Sequence, residues 1–273
     1  MSIVPIKIFQ IASTKVNKEE VRRWLDFIGA VNYQIPDGGA VSNPALVIAL
    51  ASKCCYKSFE PGLNPNVTKV RQDMVDYFDN ILKSGHGSVL EHAVFSFAIE
   101  NVSRVFTAEM NRHRAGWAIS ERSLRFCRFG ENIPYWLPTS LQENTSDDVD
   151  LADRKRRSVE VFEKAFKHQE RCYAELLEIW NMNTGHHNFH YKKVVTSCLR
   201  RIIGLGVATA GVWTGNARAL RHVIALRASE AAEEEIFYVF QEIGRMMIES
   251  EPLLFGDFSQ NENGAWVPKY IKV

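Results

Sequence analysis

Apolar positions along the chain repeat with two periods. From His92 to Ile99 they alternate: Ala93, Phe95, Phe97 and Ile99 take one side, and Val94, Ser96 and Ala98 the other. This predicts a strand covered on both faces. Val4 to Ala12 alternates similarly, with Ile6, Ile8 and Gln10 opposite Pro5, Lys7 and Phe9, and Gly204 to Gly215 is a third strand. Helical spacing predicts helices over Lys18 to Ile28 and from an Asn43 cap and Pro44 to about Cys55. Asn66 to Lys83 follows, through Val70, Met74, Tyr77, Phe78, Ile81 and Leu82, closed by a left-handed Gly85. Ser103 is placed to cap a helix through Val105, Phe106 and Met110, and Asn216 one through Ala219, Leu220, Val223 and Ile224. Further helices are predicted over Asp150 to Trp180, Lys192 to Ile203 and Ala231 to Glu249. Asn32 to Ser42, with Pro36, Asp37, Gly38 and Gly39, and the polar stretch 134–150 read as loops. The expected class is α/β, with a mixed central sheet flanked by helices.

Composition narrows the picture. The 273 residues suffice for a sizeable core, in one large domain or two small ones. Lys+Arg 33 against Asp+Glu 32 leaves a net charge of +1, too little for an overall basic field that would hold nucleic acid. The five cysteines are odd in number and lack CxxC spacing, as expected of thiols in a reducing compartment. The N-terminal MSIVPIKIFQ has no signal-peptide pattern, and no apolar run reaches bilayer length. A cytoplasmic protein without a membrane segment is the expectation.

Against this near-neutral background, Arg112 to Arg128 is locally positive. It holds five arginines (112, 114, 122, 125 and 128), His113 and a single acid, Glu121. Such a cluster repels itself unless anions intervene, and guanidinium forks match phosphate. Interleaved Trp117, Ile119, Leu124 and Phe126 argue for partial burial; a solvated basic face and a phosphate site remain balanced on composition. Arg227 lies seven residues after Leu220 and four after Val223, on the apolar face of its helix. A buried arginine requires a partner: one of Glu230, Glu233, Glu234 and Glu235, or a ligand. His186, His187 and His190 read as loop histidines rather than metal ligands, since no carboxylate or cysteine accompanies them.

Four blocks carry a resemblance. Arg112-His113-Arg114, eight further residues and then Ser123-Leu124-Arg125 resemble the signature of flavin-dependent thymidylate synthases, the ThyX family. Gly85 to His92 (GHGSVLEH), Trp213 to Leu220 (WTGNARAL) with Leu226-Arg227-Ala228, and Ala232 to Ile236 (AEEEI) resemble the family's other segments, in the same order.

The resemblance implies one domain over residues 1–273, working as a homotetramer with sites shared between subunits. It implies reductive methylation of dUMP to dTMP, with methylenetetrahydrofolate as carbon donor and FAD reduced by NADPH. Matching positions imply that Ser88, Arg112, His113, Arg114, Glu121, Asn216, Arg218 and His222 hold FAD. They imply that Glu109, Arg112, Glu121, Arg122, Ser123, Leu124 and Arg125 hold the nucleotide, with a phosphate-side arginine at Arg200 or Arg201. Arg227 and Ser123 occupy the positions that activate the uracil; no metal is implied. Departures cluster around pyrimidine and flavin: Glu109 for glutamine, Asn111 for an aromatic, Ser120 for asparagine, Cys55 for serine and His222 for asparagine. Ionised glutamate only accepts hydrogen bonds, whereas glutamine also donates. UMP methylation, 5-hydroxymethylation and a non-catalytic flavin or nucleotide binder are the alternatives.

Overall fold

A computed structural model of the protein describes residues 2–36, 39, 41–130, 132–142 and 148–272. The order is β1 (Ser2–Ile3), β2 (Lys7–Ser13), α1 (Lys18–Phe27), α2 (Asn43–Tyr56), α3 (Met74–Lys83), β3 (Val94–Ser103), α4 (Arg104–Met110) and β4 (Trp117–Glu121). There follow β5 (Pro134–Tyr135), α5 (Thr139–Gln142), α6 (Val149–Ile179), α7 (Phe189–Leu199), β6 (Ala208–Asn216), α8 (Ala217–Arg227), α9 (Glu234–Ser250), α10 (Pro252–Phe255), β7 (Phe258–Gln260) and β8 (Trp266–Pro268).

Helices flank a four-stranded sheet of order β2-β3-β6-β4, in agreement with the expected α/β class. Its strands run antiparallel. Thr14 N donates to Val94 O while Asn101 Nδ2 donates to Pro5 O, and Ala217 N donates to Ala93 O while Arg104 N donates to Leu205 O. Parallel pairing occurs in β1 with β5, where Ser2 faces Pro134 and Ile3 faces Tyr135. Phe95, Phe97 and Ile99 are all buried, as the alternation predicts.

The chain divides into two compact units, one of 1–7, 98–112 and 119–212, the other of 8–97, 113–118 and 213–273. The first is built on α6 and α7, with Tyr135, Phe166, Tyr173, Leu177, Val195 and Leu199 in its core. Tyr135 stacks on Phe166 at 3.9 Å between centroids. In the second, Leu25, Tyr33, Leu46, Leu50 and Phe59 form a cluster, with Trp24 and Tyr33 both edge-on to Phe59. Burying each such side chain contributes about 1.5–3 kcal/mol.

Several boundaries differ from expectation. Ser42, rather than Asn43, caps α2, accepting from Ala45 N at 3.1 Å, and Asn43 Oδ1 instead receives Val16 N at 3.0 Å. The helix expected from Asn66 begins only at Met74, because Asp73 accepts from Asp76 N at 2.7 Å and sets the cap there. Stretch 66–73 carries little apolar surface to bury. Phe189 opens α7 earlier than expected, on an Asn188 cap, and Arg200–Ile202 closes as a 3-10 turn. The loop expected over 134–150 contains β5 and α5. Positions 37, 38, 40 and 143–147 of the two predicted loops lie outside the described residues. Among the described residues no helix is long and apolar enough to cross a membrane, and no group of three His, Cys, Asp or Glu is placed for a metal ion.

Candidate active site

Ser103 starts the construction. Its Oγ accepts from Val105 N and Phe106 N at 3.0 and 3.3 Å, so α4 begins where β3 ends. The helix is short, ending at Met110 with Asn111 as its cap, and the signature residues Arg112 to Arg114 follow it in a turn. Gly116 has φ +75°, a conformation that favours glycine. A Cβ there would stand 2.7 Å from Asn216 Nδ2 and 2.8 Å from Ala219 Cβ. Glycine therefore allows the turn to lie against the first turn of α8, where Asn216 Oδ1 caps Ala219 N at 2.8 Å.

This arrangement joins motifs about a hundred residues apart in the second unit. Arg227 Nε donates to His113 Nε2 at 2.9 Å. His222 approaches the same ring at 6.4 Å between centroids. Arg218, exposed in the first turn of α8, pairs with Glu91 at 2.7 Å. Ser88 is exposed in the 3-10 turn Gly87–His92 that carries Glu91, and Arg114 is exposed on the signature turn.

The first unit holds the remaining expected residues. Glu121, at the end of β4, forms an ion pair with Arg104 and accepts from Asn111 Nδ2 at 3.4 Å. Both charged side chains are about one-fifth exposed (20% and 19%), so the pair is partly desolvated. Burial lowers the Arg104 pKa, and the charge of Arg200 adds to this. Arg122 forks onto both oxygens of Glu100 at 2.9 and 3.0 Å. Arg112 lies 3.7 Å from Glu109, and Arg128 donates to Met182 O at 2.6 Å. The acids that offset the arginine run thus include Glu100 and Glu109, both upstream of it.

Ser123 Oγ accepts from Arg125 N at 3.3 Å, and Ser123 O receives the amides of Phe126 and Cys127. Leu124 is buried, which leaves Arg125 exposed on the facing side of the turn. Arg200 is half-buried, whereas Arg201 is exposed and donates to Ser197 O at 2.6 Å.

Sequence reasoning missed β4, Arg104 and Glu100. Trp117, Ile119 and Glu121 alternate with Ala118 and Ser120, a strand signal obscured by the surrounding arginines. It also selected Arg227 as the buried arginine of α8. Arg227 is half-buried; Arg221 is the buried one, its side chain 3% exposed and its fork on Asp257.

The family model described as Thymidylate synthase complementing protein matches residues 40–253. The chain belongs to this family. It is 32% identical to the flavin-dependent thymidylate synthase of Mycobacteroides abscessus, over 94% of this chain and 91% of that protein. It is 31% identical to the flavin-dependent thymidylate synthase of Geobacter sulfurreducens, over 79% and 82%. Among solved structures, a UMP/dUMP methylase PolB from Streptomyces cacaoi bound with 5-Br dUMP has the same fold, with TM-score 0.63, 17% identity and coverage of 93% and 94%. Within the matched residues 40–253, Gly116 lets the turn after α4 lie against the start of α8.

Proposed function

We propose that the chain is a single catalytic domain that methylates C5 of a uridine monophosphate reductively. The substrate is dUMP and the product dTMP; methylenetetrahydrofolate donates the carbon, FAD is the cofactor and NADPH the reductant. It acts in the cytoplasm as a homotetramer with shared sites. The observation that carries this reading is the hydrogen bond between Arg227 and His113, which joins two family motifs at one place.

The donor set fits a flavin dinucleotide. Arg114 and Arg218 are exposed cations, Asn216 starts an eleven-residue helix, and helix N-termini favour pyrophosphate. Bound reduced flavin would supply hydride. Ser88, Arg112, His113, Glu121 and His222 complete the proposed flavin set. On the nucleotide, Arg125 and one of Arg200 and Arg201 hold phosphate, with Arg112, Glu121, Arg122 and Leu124 around the sugar and base. Uracil C5 is a weak nucleophile, and its new bond to the donated carbon releases a proton. Arg227 and Ser123 polarise the ring through oriented donors, each worth roughly 3–4 kcal/mol at the transition state.

The test is incubation of purified protein with FAD, NADPH, methylenetetrahydrofolate and either dUMP or UMP, followed by product mass. A methyl gain on dUMP is expected. A hydroxymethyl gain would replace the proposed product, and no gain on either nucleotide would refute the activity. Glu109 favours UMP as the second reading, because its acceptor suits a 2′-hydroxyl donor.

A further inference from the structure

The hairpin β7–β8 folds back on α8. At its base, Arg221 forks onto Asp257 and lies 4.9 Å from the Phe258 ring centroid. In its second strand, Trp266 N donates to Ala228 O at 2.9 Å, just past the helix end. That bond satisfies one of the carbonyls a helix terminus leaves unpaired. The indole of Trp266 lies on α9: its Nε1 donates to Gln241 O at 3.0 Å, and a Cβ on Gly244 would stand 2.6 Å from it. The stretch that carries Arg227 is thus tied on both sides, at Arg221 and at Ala228.

The turn of the hairpin reaches further. Asn261 N donates to Ala265 O at 3.0 Å, and Asn261 Oδ1 accepts from Asn263 N and Ala265 N at 3.0 and 2.9 Å. With the turn closed in this way, Asn261 Nδ2 and Asn263 Nδ2 both donate to Glu230 Oε1, at 3.0 and 2.7 Å. Glu230 is exposed and stands three residues past Arg227, within the spacing at which helical ion pairs form. The next acid, Glu233, is occupied differently: it caps α9, accepting from Glu235 N and Ile236 N at 2.9 and 3.3 Å.

We propose that β7–β8 positions Arg227: its turn occupies the Glu230 carboxylate and keeps it from the Arg227 guanidinium, while Trp266 fixes the backbone behind it. The inference rests on the role proposed for Arg227 in polarising the pyrimidine. A carboxylate accepts from a guanidinium roughly twice as strongly as an uncharged carbonyl. A released Glu230 would therefore draw Arg227 away from a uracil oxygen. Asn261, Asn263 and Trp266 are positioning residues; none belongs to the proposed flavin or nucleotide set.

Steady-state kinetics on the full chain with FAD, NADPH, methylenetetrahydrofolate and dUMP test this. Asn261→Asp with Asn263→Ala removes both donors to Glu230 and keeps the acceptor for the turn amides. In this double variant kcat should fall about three- to tenfold, with KM for dUMP nearly unchanged. Adding Glu230→Ala should restore kcat, because the competing carboxylate is gone, and Glu230→Ala alone should keep parental turnover. A hairpin that only supports the fold predicts the reverse: Glu230→Ala alone would lower turnover, and adding it would rescue nothing. Either result overturns the proposal, as does parental turnover in the double variant. Should the double variant fail to fold, Asn263→Ala takes its place with the same expected signs. A crystal structure of the variant reads the contact without turnover. Glu230 should lie within about 4 Å of the Arg227 guanidinium; Glu230 turned to solvent overturns the proposal. If the unaltered protein methylates neither dUMP nor UMP, the activity reading fails, and this structure alone decides whether the turn restrains Glu230.

Discussion

Arg221 and Arg227 share one helix, yet α8 uses them differently. Arg221 is sealed among Leu254 O, Asp257 and the Phe258 ring, which lies 4.9 Å from its guanidinium carbon. Arg227, half-buried at the helix end, donates to the ring nitrogen of His113 on the signature turn. An arginine forked on a buried carboxylate is committed to the fold, because parting the two leaves a charge without solvent. An arginine that is only half-buried at a helix end keeps solvent within reach and gives up much less when it turns to another acceptor. The proposed chemistry needs the second kind.

The hardest test of this contrast is Arg221→Met. Removal of one partner should cost about 3–5 kcal/mol, since Asp257 stays buried and uncompensated; denaturant titration reads it as a lowered midpoint with an unchanged slope. A loss under ~1 kcal/mol would mean that solvent reaches Asp257 readily.

Arg227→Ala should do the reverse. Turnover of dUMP is expected to fall about 100- to 1,000-fold, while the unfolding midpoint and flavin absorbance hardly change. Full activity would remove Arg227 from the proposed mechanism, and collapse of the fold would place it with Arg221.

Glu251 provides a subtler case. It is 6% exposed, accepts from the Ser42 hydroxyl, and burial raises its pKa above the ordinary value. A raised carboxyl contributes stability that is complete below the unfolded value and lost as pH rises through the folded value. Glu251→Gln keeps an acceptor for Ser42 and removes the charge. The variant should gain stability relative to the parent as pH rises above the ordinary carboxyl value of 4.5, read as diverging melting curves. Parallel curves would show that Glu251 is hydrated. The smallest effect is expected at Arg245, exposed between Glu242 and Glu249; Arg245→Gln should leave the melting temperature within error at moderate salt.

Local signals were legible wherever they act over one turn or one pleat. Ser103, Asn216 and Gly85 stand at helix ends as expected, and the β3 alternation matches its burial. Asp73 shows the limit: a cap within a run with helical spacing shortens the helix by eight residues, and periodicity does not register it. Site membership could be read as motif order, but the partners could not. The ion pair of Arg104 with Glu121 joins two elements separated by a turn, and no spacing rule links their side chains.

By itself, then, the sequence determined the α/β class, the starts of α4 and α8 and the family, because these rest on short-range sterics, capping and ordered motifs. Tertiary structure alone decided that the central strands are antiparallel, that Arg221 rather than Arg227 is sealed on Asp257, and that His113 meets Arg227. Those outcomes depend on which distant segments share one desolvated space, and the energy of a charge is set by the partners found there.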